Sequence, residues 1–394
     1  MSCTNSQSNC EWKECKLGEV AIIIDCEHKT APLVEKSDFL SVRTTDISNG
    51  RINFEIANRI SEETYVEWTR RMIPSEEDIV LAREAPVGEV GWVDNKHKIC
   101  LGQRTVLIRS DASKIFPRYL LYYLVNKDTK YELISQSTGS VVQHLNVKNI
   151  RDFKIRTHSS LPEQKAIASV LSSLDDKIDL LHRQNKTLEA MAETLFRQWF
   201  VEEAEEGWDK GKLPDEFDFV MGASPPGESY NEIGEGFPMY QGNADFGFRF
   251  PQNRVFTTDP KRFAEKYDTL ISVRAPVGAQ NMAEEKCCIG RGVAAFRYKK
   301  NKEFYTYTYF KMKSLIEDIK QFNESGTVFG CIGKKDFEEI EILIPENRDV
   351  ENFQKNVKPI DDKIIENCIQ IRTLEKLRDN LLPKLMSGEV RVGA

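Results

Sequence analysis

The chain has 394 residues, of which 40% are hydrophobic and 30% are charged, and its formal net charge is −7. This composition is typical of a soluble globular protein, and the length allows two domains with separate cores. No apolar run reaches the roughly 18 residues of a membrane span, and the polar N-terminus argues against a secretory signal. Nine cysteines and only five histidines, without a C-x-x-C pair, predict reduced thiols in a cytoplasmic protein with no metal site.

The acidic excess is concentrated in one segment. Residues 161–210 contain 11 acidic and 6 basic side chains, whereas residues 1–160 contain 22 of each. Residues 211–345 contain 20 acidic and 18 basic side chains, and residues 346–394 contain nine of each. The remaining parts are therefore close to neutral. A local basic surface can still bind DNA there, but strong non-specific affinity is not expected.

Short motifs recur at nearly constant spacing along the chain. The segment REAPVG at 83–88 returns as VRAPVG at 273–278, and LDDKI at 174–178 returns as IDDKI at 360–364. Such a long period predicts two copies of one structural unit. We predict four segments, namely a globule at 1–160, a long helix at 161–205, a second globule at 206–346 and a second long helix at 347–394.

Each globule is predicted to be mixed α+β. Short β-rich runs occur near 20–24, 79–82 and 106–109, and again near 270–273 and 293–297. One helix is expected in each globule, over 117–135 and over 303–321. A turn with glycine and hydroxyl residues follows each helix, at 138–140 and 325–327, and then a strand that ends near Ile155 or Ile342.

The two long helices carry heptad patterns that predict an antiparallel coiled coil. Ser160 and Glu163 fit a capping box at the start of the first helix. The seam of each helix contains one polar position, Asn185 in the first and Asn367 in the second. An antiparallel pairing brings these amides face to face, and we expect them to fix the register at some cost in stability. Without the duplication, an amphipathic core helix is the simpler interpretation of either segment.

Motifs of catalysis are weak in this chain. Residues 333–335 (GKK) lack the first glycine and the Ser or Thr of a phosphate-binding loop, and the SPPG run at 224–227 is typical of a proline turn. Asp268, Glu284 and Lys286 have only a loose nuclease-like spacing. A chain without a catalytic constellation and without a metal site is therefore predicted.

The repeat pattern resembles the specificity subunit of a type I restriction–modification system. The residues that carry the resemblance are LPEQ at 161–164, LDDKI at 174–178, LFRQWF at 195–200, PMYQG at 238–242, RAPVG at 274–278, CIGRG at 288–292 and LLPKLMSG at 381–388. The first globule departs from the pattern, with Arg83-Glu84-Ala85 in place of Arg-Ala and Gly102-Gln103-Arg104 in place of Gly-Arg-Gly.

The resemblance implies a fold and a set of partners. Each globule is expected to be a target recognition domain, and the long helices are expected to form the antiparallel coiled coil between them. The chain is expected to bind double-stranded DNA without catalysing a reaction, and to read a split, non-palindromic target. Two modification subunits would supply S-adenosylmethionine for adenine methylation, and two restriction subunits would supply ATP and Mg²⁺ chemistry. No cofactor is expected on this chain.

Candidate DNA contacts are polar side chains near repeated turns, because Arg reads guanine and Asn or Gln reads adenine. Arg83 and Arg274 lie beside the proline turn and are interpreted as equivalent positions. A surface salt bridge or a turn-stabilising contact is the alternative role for each residue. The candidates are Arg83, Gln103, Arg104, Lys148, Tyr240, Gln241, Asn243, Arg274, Arg291, Lys334 and Lys335.

Acidic residues on the first long helix are candidates for partner docking through charge complementarity, with a solvated helix face as the alternative. These residues are Asp175, Asp176, Asp179, Glu189 and Glu193. A different function also fits the pattern, because a duplicated coiled-coil scaffold could bind other proteins instead of DNA. A self-contained nuclease or methyltransferase is disfavoured by the missing motifs.

Overall fold

The computed structural model describes residues 12–137, 144–204, 207–324 and 331–392. Its contacts divide the chain into two compact units. The first unit consists of Met1–Lys177 and Leu374–Ala394, and the second consists of Ile178–Thr373. Each unit therefore contains one globule together with part of each long helix. The predicted turns at 138–140 and 325–327 lie outside the described residues.

The first globule contains eleven short strands and five α-helices within its described residues. The strands are Trp12–Lys16, Ala21–Asp25, Phe39–Val42, Ile47–Ser48, Arg51–Ile52, Asn58–Ile60, Ile79–Ala82, Val90–Trp92, Lys98–Leu101, Thr105–Ser110 and Lys154–His158. The helices are Leu17–Val20, Glu62–Trp68, Pro117–Val125, Lys127–Ser135 and Val147–Asp152.

The second globule contains eleven strands and four α-helices within its described residues. Its strands are Asp209–Lys212, Phe217–Met221, Tyr230–Asn231, Phe237–Tyr240, Phe256–Thr257, Phe263–Ala264, Thr269–Ser272, Gln280–Met282, Cys287–Ile289, Val293–Tyr298 and Glu341–Ile344. Its helices are Leu213–Glu216, Tyr305–Ser314, Ile316–Glu324 and Lys334–Glu339.

A four-stranded antiparallel sheet lies at the centre of each globule, and its strand order is the same in both copies. In the first globule the order is Ala21–Asp25, Thr105–Ser110, Ile79–Ala82 and Val90–Trp92. In the second the order is Phe217–Met221, Val293–Tyr298, Thr269–Ser272 and Gln280–Met282. The shared order confirms the duplicated α+β fold that the repeat predicts.

A second sheet lies beside the first in each copy, and it contains one parallel pair of strands. In the first globule, Phe39–Val42 pairs in parallel with Lys98–Leu101. In the second globule, Phe237–Tyr240 pairs in parallel with Cys287–Ile289. These strands carry the turns in which several candidate DNA contacts lie.

Each predicted helix of the globules is divided into two. Asn126 ends the first helical segment, and its N–H makes the last helical hydrogen bond, to the carbonyl of Tyr122. Its own backbone has ψ 129°, outside the helical region, and its carbonyl accepts the N–H of Lys130 in the next segment. Leu315 marks the corresponding division in the second globule.

The long helices extend over Leu161–Arg197 and Asn347–Ser387. The Ser160 hydroxyl accepts the N–H of Glu163 at 3.4 Å, as the predicted cap requires. Within the second unit the helices pair antiparallel, because Asn185 contacts Asn367 and Phe196 contacts Phe353. In the first unit, Arg378 of the second helix donates to Asp175 of the first at 2.9 Å, so the two helices contact each other there as well.

Candidate nucleic-acid interface

A proline turn and a glycine turn lie side by side in each globule. Each proline turn contains a cis peptide bond, at Ala85–Pro86 in the first globule and at Ala275–Pro276 in the second. The N–H of Arg83 bonds to the carbonyl of Arg104, and the N–H of Val273 bonds to the carbonyl of Gly292, each at 2.9 Å. The fold therefore unites two predicted turns that are about 20 residues apart in sequence.

The prediction that Arg83 and Arg274 occupy equivalent positions of the repeat is wrong. The backbone hydrogen bonds pair Arg83 with Val273, so Glu84 is the residue that corresponds to Arg274. By the same alignment, Gln103 corresponds to Arg291. The two globules consequently place different side chains at matching positions of the same turns.

Arg83 is buried, with a relative exposure of 5%. One of its Nη atoms donates to Asp25 Oδ1 at 2.7 Å, and its Nε donates to the carbonyl of Leu145 at 2.7 Å. The other Nη contacts His144 Nε2 at 2.8 Å. The prediction that Arg83 contacts DNA is therefore contradicted by the structure, because its guanidinium is enclosed and already occupied.

The exposed part of the first-globule turns contains Gln103 and Arg104. Gln103 Nε2 donates to the carbonyl of His28 at 3.2 Å, and Arg104 pairs with Glu84 at 2.9 Å. Glu84 also contacts His144 Nδ1 at 2.5 Å. This surface combines an amide with a largely neutralised set of charges, and both predicted residues stay candidates.

The second globule presents a more basic version of this surface. Arg274 and Arg291 are exposed, and no ion pair of either side chain is seen within the described part of the chain. Arg291 Nε donates to Ser224 Oγ at 3.2 Å, and Ser224 Oγ donates to Gln241 Oε1 at 3.0 Å. Gln241 Nε2 in turn donates to the hydroxyl of Tyr230 at 2.7 Å. This chain of hydrogen bonds holds an arginine and an amide together at the surface, and these are the side-chain types that pair with guanine and adenine.

Tyr240 lies inside the second globule, although it is adjacent to Gln241 in sequence. Its side chain is 2% exposed, and its hydroxyl donates to Asn253 Oδ1 at 2.5 Å. Burial raises the pKa of this hydroxyl. The prediction that Tyr240 contacts DNA is contradicted, whereas Asn243 is partly exposed at the start of a short turn and stays a candidate.

The three candidate lysines lie on equivalent short helices that follow these turns. Lys148 belongs to Val147–Asp152, and Lys334 and Lys335 begin Lys334–Glu339. All three are exposed, and Lys334 pairs with Glu338 at 3.3 Å. Exposed lysines at this place suit contacts to phosphate more than to bases.

The predicted docking acids fall into two groups. Asp175 and Glu189 are each only 8% exposed, and both are bonded to other residues of the chain. Their assignment to partner docking is contradicted by this burial. Asp176 is exposed, and Asp179 and Glu193 are half-buried, so the docking prediction stays for these three residues.

The described residues contain one group that could hold a metal ion, formed by Asp25, Cys26 and His28. Asp25 already binds Arg83 through one oxygen and His28 through the other, the latter at 2.9 Å. A guanidinium on the same carboxylate opposes a second cation there. The loose nuclease-like set is dispersed over separate ion pairs, which are Asp268 with Arg297, Glu284 with Arg372, and Lys286 with Glu265.

Comparison with known proteins identifies the family. The model of the type I restriction modification DNA specificity domain matches residues 9–190 and again residues 205–376. The chain belongs to this family. Both copies of the repeat are included, in agreement with the two sheets of identical strand order.

Two relatives come from Methanocaldococcus jannaschii. The putative type I restriction enzyme MjaX specificity subunit is 34% identical over 78% of this chain and 76% of its own length. The type I restriction enzyme MjaIX specificity subunit is 25% identical over 92% of this chain and 87% of its own length. Among solved structures, the S subunit of a type I restriction-modification system from M. genitalium has a TM-score of 0.60 at 20% identity, and the alignment covers 97% of this chain and 98% of that chain. This similarity supports the fold.

Several residues of the candidate surface of this family member were not found from the sequence. Glu84 pairs with Arg104 and contacts His144 in the first-globule turns, while Ser224 and Tyr230 hydrogen-bond to Gln241 in the second. Their place in the repeat was the one available signal in the sequence. His28, which bonds to Gln103, and Ser224, which bonds to Gln241, both follow the first strand of the central sheet.

Among the described residues, no helix combines the length and the apolar character that a membrane-spanning segment requires.

Proposed function

We propose that this chain is the non-catalytic specificity subunit of a type I restriction–modification complex and reads a split, non-palindromic DNA target. Each globule serves as one target recognition domain and binds one half-site. The proposal rests on one observation: the two globules share a fold but carry different side chains at matching positions of their turns. Gln103 lies where the second globule has Arg291, and Glu84 lies where it has Arg274.

The chemistry of these positions supports two unlike half-sites. Arginine forms its best bidentate contact with guanine, and glutamine forms its best contact with adenine. The surface of the second globule displays Arg274, Arg291 and Gln241, and the surface of the first displays Gln103 and Arg104. Identical surfaces would favour a palindrome, whereas unlike surfaces favour an asymmetric target.

The proposed partners are two modification subunits and two restriction subunits. S-adenosylmethionine would be bound by the modification subunits, and ATP with Mg²⁺ by the restriction subunits, in the cytoplasm. The exposed faces of the long helices are the proposed docking surface, with Asp176, Asp179 and Glu193 contributing negative charge. The names of the curated relatives as type I restriction enzyme specificity subunits support this assembly.

The test is reconstitution of the chain with its modification subunits on a randomised DNA library, followed by mapping of methylated adenines. We expect one bipartite, asymmetric sequence. Replacement of both Arg274 and Arg291 by Ala should change only one half of it, and Gln103→Ala should change only the other half.

Two outcomes would contradict the proposal. Binding of the complex to all library sequences with equal affinity would favour the alternative, a scaffold protein that binds other proteins. Methyl transfer by the purified chain alone, incubated with S-adenosylmethionine and DNA, would show that the chain is itself an enzyme.

A further inference from the structure

The repeated LDDKI and IDDKI motifs place one buried carboxylate in each long helix. These carboxylates belong to Asp175 and Asp361, which are 8% and 0% exposed. The next aspartate in each motif, Asp176 or Asp362, is more accessible. A buried carboxylate requires hydrogen-bond donors or cations as partners. The partners of Asp175 and Asp361 therefore show which parts of the fold each carboxylate connects.

In the second unit, Asp361 binds an arginine that comes from the globule. An Nη atom of Arg249 lies 3.2 Å from Asp361 Oδ1, and both side chains are fully buried. The backbone carbonyl of Arg249 accepts the N–H of Met282, in the central sheet, at 2.9 Å. Thr306 Oγ1 also donates to Asp361 Oδ2 at 3.0 Å. The second long helix is therefore linked to the sheet through one arginine.

The first long helix and a helix of the globule meet at the same guanidinium. Arg249 lies 3.9 Å from Glu189 Oε2, and its Cζ lies 3.7 Å from the centre of the Tyr309 ring. Lys313 Nζ donates to the other oxygen of Glu189 at 2.5 Å. Within the described residues, the Arg249 nitrogens have no hydrogen-bond acceptor, so ion pairs and the aromatic ring provide the compensation for its charge.

The first unit contains a corresponding arrangement at Asp175. The hydroxyl of Tyr122 donates to Asp175 Oδ2 at 2.6 Å, and Arg378 from the second long helix donates to Oδ1 at 2.9 Å. Arg51 lies 3.6 Å from the same carboxylate. The carbonyl of Gly50 accepts the N–H of Trp92, and the carbonyl of Arg249 accepts the N–H of Met282 at the matching place in the second globule. Gly50 therefore matches Arg249, and Arg51 is the next residue along the chain.

We infer that Asp175 and Asp361 are positioning residues, each of which orients one globule on the long-helix segments of its own unit. This orientation controls how fast the half-site read by that globule is methylated. The inference rests on the proposed function, in which the modification subunits dock on the helices and the globules bind the bases. A methyltransferase must meet its adenine in a defined geometry, and a displacement of about 1 Å can lower a rate about 100-fold.

The experiment uses the complex of the full chain with its modification subunits and one duplex that carries the complete target. Methylation rates are measured separately at the two adenines for Asp175→Asn and Asp361→Asn. We expect each variant to lower the maximal rate at one half-site, by up to about 100-fold, and the affected half-sites to be opposite for the two variants. DNA affinity and the recognised sequence should change much less than the rates.

Two further variants separate positioning from loss of the fold. Asp361→Asn leaves the Arg249 charge buried, so the combination with Arg249→Met restores an uncharged interior. If Asp361→Asn is unfolded, this double variant should still fold and should show the same one-sided loss of methylation. Glu67→Gln serves as the control, because Glu67 is exposed on the Glu62–Trp68 helix of the first globule, away from the proposed docking surface, and forms a surface ion pair with Arg70.

The failure of the inference and that of the proposed function give different results. Absence of methylation at any bipartite sequence by the wild-type complex would reject the proposed function. If the wild-type complex methylates its target, equal losses at both half-sites in the folded variants would overturn the inference. Wild-type rates at both half-sites in the double variant would overturn it as well.

Discussion

Asn367 Nδ2 donates a hydrogen bond to Asn185 Oδ1 at 2.9 Å across the two long helices. The exposed fractions of these side chains are 0% and 1%. Asn185 Nδ2 also contacts Cys368 Sγ at 3.4 Å. The two amides meet as the heptad register requires, and their role in fixing that register stays a prediction. A buried polar pair in such a seam selects one alignment of the helices at the expense of stability.

Replacement of one member of this pair should be worse than replacement of both. Asn185→Ala leaves the amide of Asn367 without its acceptor, so we expect a loss of about 1–3 kcal/mol in the free energy of unfolding. The double variant with leucine at both positions should recover that loss or exceed wild-type stability. Urea denaturation measures both effects, with the exposed Asn352→Ala as control, expected within about 0.5 kcal/mol of wild type. Equal losses in the single and double variants would contradict the prediction.

Arg83 and Arg274 should have separable effects, because one is buried and the other is exposed. Arg83→Met removes the hydrogen bonds to Asp25 and to the carbonyl of Leu145, so the free energy of unfolding should fall by about 1–3 kcal/mol. Arg274→Ala should leave stability unchanged but weaken binding of the cognate duplex by about 1–3 kcal/mol and relax one base position. Thermal denaturation and a binding titration distinguish them. Unchanged affinity and base preference in Arg274→Ala would remove this residue from the interface.

Lys335 should act on affinity without acting on sequence preference. A lysine that contacts phosphate releases a counterion, so Lys335→Ala should reduce the slope of log affinity against log salt by about one. The ranking of target sequences should stay the same. Lys302→Ala, which removes an exposed lysine beyond the C-terminal end of the strand Val293–Tyr298, is the control and should keep the wild-type slope. A changed base preference in Lys335→Ala would instead place this lysine at a base edge.

Asp268 should make the second unit less stable as the pH rises from 4 to 6. Burial raises the pKa of Asp268 to about 6, although Arg297 and the N–H of Glu265 oppose this shift. The unfolded value is about 3.9, so the folded state binds the additional proton between these two pH values. Stability therefore falls as pH rises through this window, by about 3 kcal/mol in total.

Asp268→Asn cannot titrate and isolates this contribution. The free energy of unfolding of wild type minus that of the variant should decrease from pH 4 to pH 6 and then level off. Urea denaturation across this range measures the difference. Parallel curves for the two proteins would show that Asp268 keeps its ordinary pKa in the fold.

The sequence by itself determined the duplicated architecture. The recurrence of REAPVG and LDDKI reported two copies of one unit, because both copies retain the turn and the helix segment that those residues form. The heptad pattern likewise placed Asn185 opposite Asn367, since helix periodicity is local and the antiparallel register then follows from counting. The strands Ile79–Ala82 and Thr269–Ser272 could also be predicted, because a short β-rich run is a local feature of the sequence.

Only the tertiary structure decided which polar residues of these motifs are accessible. Arg83, Tyr240 and Asp175 belong to segments that look exposed in sequence, yet each is buried against partners that are distant along the chain. Asp25, Asn253 and Arg378 carry no sign in the sequence of these contacts. Burial depends on which elements pack together, and hydrogen-bond partners at long sequence separation are set by that packing rather than by local pattern.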